Sequence, residues 1–486
     1  MISDNMKKYI PTVGLEIHVQ LNTATKMFCG CSNDSAAPAN MNVCPICLAY
    51  PGALPQLNRE AVRKGAIAGM MLGCEINRVS TFDRKNYFYP DASKNYQITQ
   101  SASPICLGGG VTFTVDGGLG ETALPKTVRL NHIHLEEDVA KSLHYPKCSG
   151  VDFNRCGTAL MEIVTEPDLS SADEVVAFLQ TLRQILIYAD VSDCNLEAGN
   201  MRCDVNVSVR PEGTVKLGTR IEIKNMNSFS NIHAALTYEI ARQISVLTEG
   251  GALRQETRRW DPDLNETAAM RTKENAHDYR YFPEPDLLPI VLEETQIKAW
   301  RNSLPELPAA KRARFTAEYA IPDYDAGVLS AQRETADYFE ATAKGCGNAK
   351  AASNWIMTDV LRYLGETGKD IATLPLTAQI LAELILLVEK KTINMPTAKG
   401  LFAELIEKGG SPEALVKERG LGQVSDTAAI EKFAAEVIAA NPKVVDDFKG
   451  GKQPALQFLV GQVMKLSKGK ANPQLAADTI RHLLGV

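Results

Sequence analysis

Strict alternation of apolar and polar residues marks several stretches of the first 230 residues, and each predicts a strand with one dry and one wet face. Along 13–21, Leu15, Ile17, Val19 and Leu21 point one way, and Glu16, His18 and Gln20 the other. Along 131–141, Ile133 and Leu135 alternate with His132, His134 and Glu136, and Glu137 and Asp138 follow at once. The run 160–167 predicts a strand with Glu162 on one face. Residues 201–210 set Arg202, Asp204, Asn206, Ser208 and Arg210 against Met201, Cys203, Val205, Val207 and Val209, and 220–224 repeats the pattern with Arg220, Glu222 and Lys224. A short strand over 112–115 lies between the turn glycines at 108–110 and 117–118. Helical spacing appears over 59–72, over a run opened by the capping box of Ser171 and Glu174 and reaching about Tyr188, and over 231–248 before Gly250 and Gly251.

The character changes beyond about Lys298. Strand patterns give way to helical runs over 308–319, 334–343, 354–364 and 377–389, then a break at 408–412, then runs over 425–439, 454–468 and 473–484. The pattern predicts an α+β chain divided as 1–298, 299–410 and 411–486, with an antiparallel sheet in the first part and helices in the other two.

Composition narrows the class of protein. A formal charge of -6 means that a nucleic-acid partner must meet a local basic patch, such as Lys465, Lys468, Lys470 and Arg481 near the end. The first ten residues lack the apolar run of a secretion signal, and the most apolar helical stretch, 380–388, is too short to span a bilayer. These features predict a soluble, cytoplasmic protein with no membrane partner. The 11 cysteines then suggest thiols or a metal rather than a disulfide framework.

The chemistry lies in the wet faces and one loop. Acids beside imidazoles, with Arg and Lys on neighbouring strands, suit a divalent cation and the phosphates of a nucleotide. Cys29-x-Cys31 and Cys44-Pro-Ile-Cys47, twelve residues apart, have the composition of a closed tetrahedral zinc site with a structural role. The stretches 83–91 and 278–286 interleave basic and aromatic residues, suited to holding phosphates while stacking on bases; 254–260 adds more of both. No GxxxxGK[ST] loop occurs anywhere.

The chain resembles the GatB subunits of the tRNA-dependent aspartyl/glutamyl amidotransferases almost end to end. The resemblance is carried by VGLEIHVQL, FDRKNYFYPD, IHLEEDVAKS, LMEIVTEPD, RCDVNVSVR, IKNMNSFS, QETRRW, DYRYFPEPDL, SNW and FLVGQVMK. It implies a catalytic cradle similar to glutamine synthetase, a helical domain and a small tRNA-binding tail of the YqeY kind. It also implies an activity in which ATP phosphorylates the side-chain carboxylate of Glu or Asp mischarged on tRNA(Gln) or tRNA(Asn). Ammonia from the glutaminase partner of the amidotransferase then displaces the phosphate, and a third partner that ties the complex together completes a heterotrimer. Carried over residue by residue, the resemblance makes Glu16, His18, Glu136 and Glu137 ligands of Mg²⁺, completed by Glu162 and Asp204. Lys85 and Arg202 fall to phosphate, Tyr87 and Tyr89 to the aminoacyl end of the tRNA, and Cys29, Cys31, Cys44 and Cys47 to a zinc knob. Cys156, Ala159 and Ala198 depart from the usual pattern without removing a ligand.

Two rival readings use the same residues. A hydrolase would activate water on Zn²⁺ with the His and Glu cluster, but HExxH is missing and carboxylate-rich ligation favours Mg²⁺. A non-catalytic tRNA-binding scaffold would use only the zinc loop and the helical tail.

Overall fold

The computed structural model describes residues 8–34, 36–115, 125–270, 279–422, 427–467, 471 and 473–485. The chain forms two compact units, Met1–Pro308 and Ala309–Val486. Together they make an α+β protein, strands in the first unit and helices throughout the second. Among the described residues, no helix is long and apolar enough to cross a membrane.

The strands of the first unit that position the site are β1 (Tyr9–Gln20), β2 (Glu75–Ile76), β3 (Asp83–Asn86), β4 (Tyr96–Thr99), β5 (Cys106–Leu107), β6 (Gly110–Thr114), β7 (Pro125–Glu137), β8 (Ala159–Thr165), β9 (Met201–Pro211), β10 (Ile221–Lys224), β11 (Glu256–Asp261), β12 (Glu266–Ala269) and β13 (Phe282–Pro283). One sheet runs β12-β11-β10-β9-β1-β8-β7-β5-β2, with β6 paired to β7. The alternating patterns place each strand's apolar residues on one face, so Val13, Leu15, Ile17 and Val19 of β1 are buried with Val205 and Val207 of β9. The sheet is antiparallel apart from β10 and β11, which pair parallel. That exception to the antiparallel expectation follows from connectivity: a helix of Phe229–Thr248 links the two strands, and a crossover of that length returns the chain in the same direction.

Long helices pack into this unit's core: α1 (Arg59–Met71), α2 (Ala172–Tyr188) and α3 (Phe229–Thr248), and a shorter one, Glu294–Asn302, adds Ile297. Asn58 caps α1 by accepting from the backbone N–H groups of Glu60 and Ala61. Ser228 caps α3, which starts two residues ahead of the expected position. The Ser171 hydroxyl accepts from Glu174 N as the capping box predicts, but the Glu174 carboxylate reaches back to Ser170 N at 2.6 Å. Glycines let α1 lie close against the sheet. A Cβ on Gly65 would come 2.8 Å from Leu135 Cδ2, and one on Gly69 would come 2.3 Å from Cys106 Sγ.

The hairpin of β3 and β4 folds over the end of β7. Gln97 Nε2 donates to the Glu137 carbonyl at 2.7 Å, and Thr99 Oγ1 lies 3.4 Å from Glu136 Oε2. The last residues of β7 are therefore buried on both faces, charged ones included. β13 adds to β3 from the far end of the unit.

In the second unit, helices cover Pro308–Tyr319, Arg333–Cys346, Ala378–Glu389, Met395–Lys408, Pro412–Glu418, Thr427–Ala440, Gln453–Leu466 and Pro473–Leu484. The run predicted over 354–364 is interrupted by a π-helical turn, Ile356–Val360. Two apolar groups form, one from Phe315 to Val416 and one from Ile430 to Ile480. Val416 lies beyond the glycine break at 408–412 yet packs in the first group. Lys465 and Arg481 are exposed, while Gly117, Gly118, Asp278, Ser425, Lys468 and Lys470 lie outside the described residues.

Gly69→Ala is expected to destabilise the chain by about 1–3 kcal/mol through overpacking, because the sulfur it would meet sits on a buried strand. The check is chemical denaturation followed by circular dichroism, and a midpoint equal to that of the unaltered chain would show that α1 and the sheet have room to part.

Candidate active site

Register assembles the site. In β1, His18 stands opposite Glu162 of β8 on one side and Arg202 of β9 on the other; Glu162 in turn stands opposite His134 of β7. Side chains directly across a ladder share a face, so residues more than a hundred positions apart meet there. His18 Nε2 lies 3.4 Å from Glu136 Oε1 and 3.4 Å from Glu162 Oε2. His134 Nε2 lies 3.2 Å from Glu162 Oε2 and 3.7 Å from Glu136 Oε2. Glu136 is 1 % exposed, so this is a pair of carboxylates held between two imidazoles with little water. Among the described residues, His18, Glu136 and Glu162 form one of two groups whose ligand atoms all converge, within 4.8 Å of one another.

The electrostatics follow from that packing. Burial works to raise the pKa of Glu136 and of Glu162, but the hydrogen bonds and positive charge of His134 and His18 outweigh it and hold both carboxyls below the usual range. The same contacts push His134 up to about 9 against its burial, and His18 also upward. The positive charge that holds these carboxyls down is of the sign a divalent cation would supply.

Glu16 is beside this group rather than in it. It lies two residues back on the same face of β1, roughly 7 Å along the strand. Its carboxylate accepts from Asn206 Nδ2 at 3.0 Å. Burial, and then Glu162, push its pKa up. Asp204 stands opposite Glu16 in β9 and is paired with Lys224 at 2.6 Å. A cleft of about 270 Å³ opens on this side, lined by Glu16, Asn206, Pro167, Leu217 and Arg220. Arg202 reaches Asp138 at 2.5 Å, and Gln20 and Arg155 also approach that carboxylate.

Glu137 takes a different place from the shared ligand set that the resemblance implies. It is the residue after Glu136 on a strand, so it points to the opposite face. There it meets Lys94 Nζ at 2.5 Å and accepts from Ile98 N at 3.0 Å. This pair borders a cavity of about 180 Å³ whose far wall is the cysteine loop, with Cys29, Cys47 and Tyr50.

The two basic and aromatic stretches, about 200 positions apart, build one wall. Arg84 makes a two-pronged contact to Glu284 at 2.8 and 2.7 Å and a third to Asp286 at 3.0 Å, which pins 282–286 to β3. That contact brings Tyr279 beside Lys85, whose ammonium lies 4.9 Å from the ring centre, and beside Tyr87 at 6.4 Å between centres. Tyr89 is 6.2 Å from Tyr87. Burial opposes the charge on Lys85, yet Glu136 and the nearby tyrosines raise its pKa, and burial with Glu136 raises that of Tyr87. Lys85 and Tyr87 thus both feel the charge of Glu136. The third stretch is structural instead: Trp260 is in the core, and Arg258 bonds Glu256 and Thr267 and lies 3.4 Å from buried Glu239.

The second converging group is Cys29, Cys31, Cys44 and Cys47, again with all sulfurs within 4.8 Å. Cys44 and Cys47 sulfurs are 3.9 Å apart; sulfurs on a tetrahedral zinc stand roughly 3.8 Å apart. The Cys47 thiol is drawn down to about 5 by a hydrogen bond from Cys29, by Cys44 N and by the charge of Lys26, whereas the bond to Cys47 and burial push Cys29 up and burial pushes Cys31 up to about 11, so of these three thiols Cys47 alone favours thiolate before a cation binds. Cys156 is buried against this loop, its thiol donating to the Cys47 carbonyl at 3.4 Å.

Sequence reasoning left three contributors without a role: His134, Lys94 and Asp138. His134 had a legible signal, since it lies two residues before Glu136 on one strand and so shares its face. Lys94 and Asp138 depend on how the β3–β4 hairpin and the end of β7 settle, and no periodicity announces that.

Comparisons with known proteins agree with this architecture. Residues 11–298 match the GatB/GatE catalytic domain, and residues 337–484 match the GatB domain. The first unit is thus a catalytic domain of the class that these amidotransferase subunits share. The chain is 50% identical over 477 residues to the GatB subunit of the aspartyl/glutamyl-tRNA(Asn/Gln) amidotransferase of Prosthecochloris aestuarii, spanning 98% of each. It is 48% identical over 478 residues to that of Trichlorobacter lovleyi, spanning 98% of this chain and 99% of that one. The chain belongs to the GatB family of aspartyl/glutamyl-tRNA(Asn/Gln) amidotransferase subunits.

Lys94→Met leaves the Glu137 carboxylate buried without its cation and is expected to cost about 3–5 kcal/mol. Lys94→Met combined with Glu137→Leu should regain most of that. Equilibrium unfolding of the three chains decides; additive losses in the double variant would mean the pair does not interact as described.

Proposed function

We propose that this chain is the amidating subunit of a cytoplasmic tRNA-dependent amidotransferase, converting Glu-tRNA(Gln), Asp-tRNA(Asn) or both to the amide with ATP and ammonia. The observation that carries the reading is the buried carboxylate pair of Glu136 and Glu162 set against His18. A carboxylate resists attack by ammonia until one of its oxygens becomes a leaving group. Phosphorylation supplies one: the substrate's side-chain carboxylate oxygen takes the terminal phosphoryl group of ATP, releasing ADP. Ammonia then forms the C–N bond and phosphate departs.

In this reading His18, Glu136 and Glu162 hold Mg²⁺, with Glu16 and Asp204 on the adjoining side, and the bound ion neutralises phosphate charge. Glu137 is left out of that set and serves the opposite face. Lys85 and Arg202 offset the remaining phosphate charge, and Tyr87 and Tyr89 present a stacking surface to the aminoacyl end of the tRNA. The four cysteines hold a structural Zn²⁺ that shapes their loop. Ammonia comes from the glutaminase partner, a third partner completes the heterotrimer, and the helical second unit contacts tRNA. The hydrolase reading gains nothing from the geometry, because the converging group is richer in carboxylate than a catalytic zinc site of three histidines.

Glu136→Gln, co-expressed with the two partner proteins, is expected to lower ATP-dependent formation of Gln-tRNA(Gln) at least about a hundredfold, the scale on which loss of one charge-stabilising group acts. Glutamine hydrolysis by the complex should persist. Retained amidation would return the chain to the role of scaffold. A second expectation concerns metal: the purified chain should carry one equivalent of zinc by elemental analysis, and Cys44→Ser should lose it. Zinc retained in that variant removes Cys44 from the ligand set.

A further inference from the structure

Behind the carboxylate pair runs a chain of hydrogen bonds that leads from the surface to His134. Glu166 Oε1 accepts from Asn131 Nδ2 at 2.7 Å, and Asn131 Oδ1 meets His132 Nδ1 at 2.7 Å. His132 Nε2 lies 3.2 Å from His134 Nδ1, the two rings stacked with centres 5.2 Å apart.

Each link dictates the polarity of the next. An ionised carboxylate only accepts, so Asn131 turns its NH₂ to Glu166 and its oxygen to His132. An amide oxygen also only accepts, so His132 carries its proton on Nδ1. A neutral imidazole has a single N–H, which leaves His132 Nε2 bare and accepting from His134 Nδ1. The atom of His134 then presented to Glu162 Oε2 and Glu136 Oε2 is Nε2.

We propose that His132 is a positioning residue of this site: relayed through Asn131 and Glu166, it fixes the His134 ring so that Nε2 meets the Oε2 atoms of both carboxylates. Glu136 Oε1 is thereby left turned toward His18. Outer partners orient the groups that ligate a cation, and His132 acts here one step further out, through His134. The effect on cation affinity rests on the Mg²⁺ reading given above; the direction of the hydrogen bonds does not.

Two measurements on the full chain separate those parts. With only seven histidines, selective ¹⁵N-histidine labelling gives a readable long-range ¹H–¹⁵N spectrum at mildly alkaline pH, and His132→Phe assigns the signal. His132 should appear as the neutral form protonated on Nδ1, the less common one in free histidine. A spectrum with its proton on Nε2 overturns the relay. Mn²⁺ binding, followed by electron paramagnetic resonance, should weaken about tenfold in His132→Phe, which keeps the ring and loses the acceptor. His132→Gln, whose side-chain oxygen can accept, should recover part of it. Should His132→Phe fail to fold, Asn131→Leu breaks the chain at an exposed position and is expected to weaken Mn²⁺ binding in the same direction. Unchanged affinity in the folded variants overturns the positioning role. An unaltered chain that binds no Mn²⁺ overturns the cation reading instead, and the His132 spectrum then decides the relay alone.

Discussion

The arrangement depends on the register in which β1 lies between β8 and β9. Because a strand's side chains alternate with period two, a slip of one residue would carry His18 to the dry face and Ile17 to the wet one. The slip is prevented by burial: Val13, Leu15, Ile17 and Val19 are all buried, and each would have to enter water. The core thus aligns the site. Apolar residues that touch no substrate decide which carboxylate stands opposite which imidazole.

Much of this was legible in the alternation itself. A run such as Met201–Pro211 states its own dry and wet faces, and the convergence of Glu16, His18, Glu162 and Asp204 on one surface follows once the strands are neighbours. Strand order is a matter of long-range pairing, which periodicity does not state. Glu137 shows the limit. The period-two rule turns it away from Glu136, whereas the resemblance carried both acids over together without regard to direction.

The wall opposite the sheet was less readable. Residues 83–91 and 278–286 share a composition, but the contact that joins them is Arg84 against Glu284, a match of geometry rather than of pattern. A planar guanidinium held by two parallel bonds fixes orientation as well as distance. The exposed rings of Phe88 and Tyr89 stand on that footing, and Arg84, one of the basic residues of the first stretch, is occupied in holding the wall.

The end of β7 has a further consequence. Glu136 and Glu137 are adjacent in the chain and both buried, but they look in opposite directions, one toward the imidazoles and one toward Lys94 and the cysteine loop. A single peptide unit therefore separates the carboxylate pair from the cavity beside the cysteine loop. Side chains on either side can be altered with no direct contact across it, whereas any tilt of that backbone moves both walls at once.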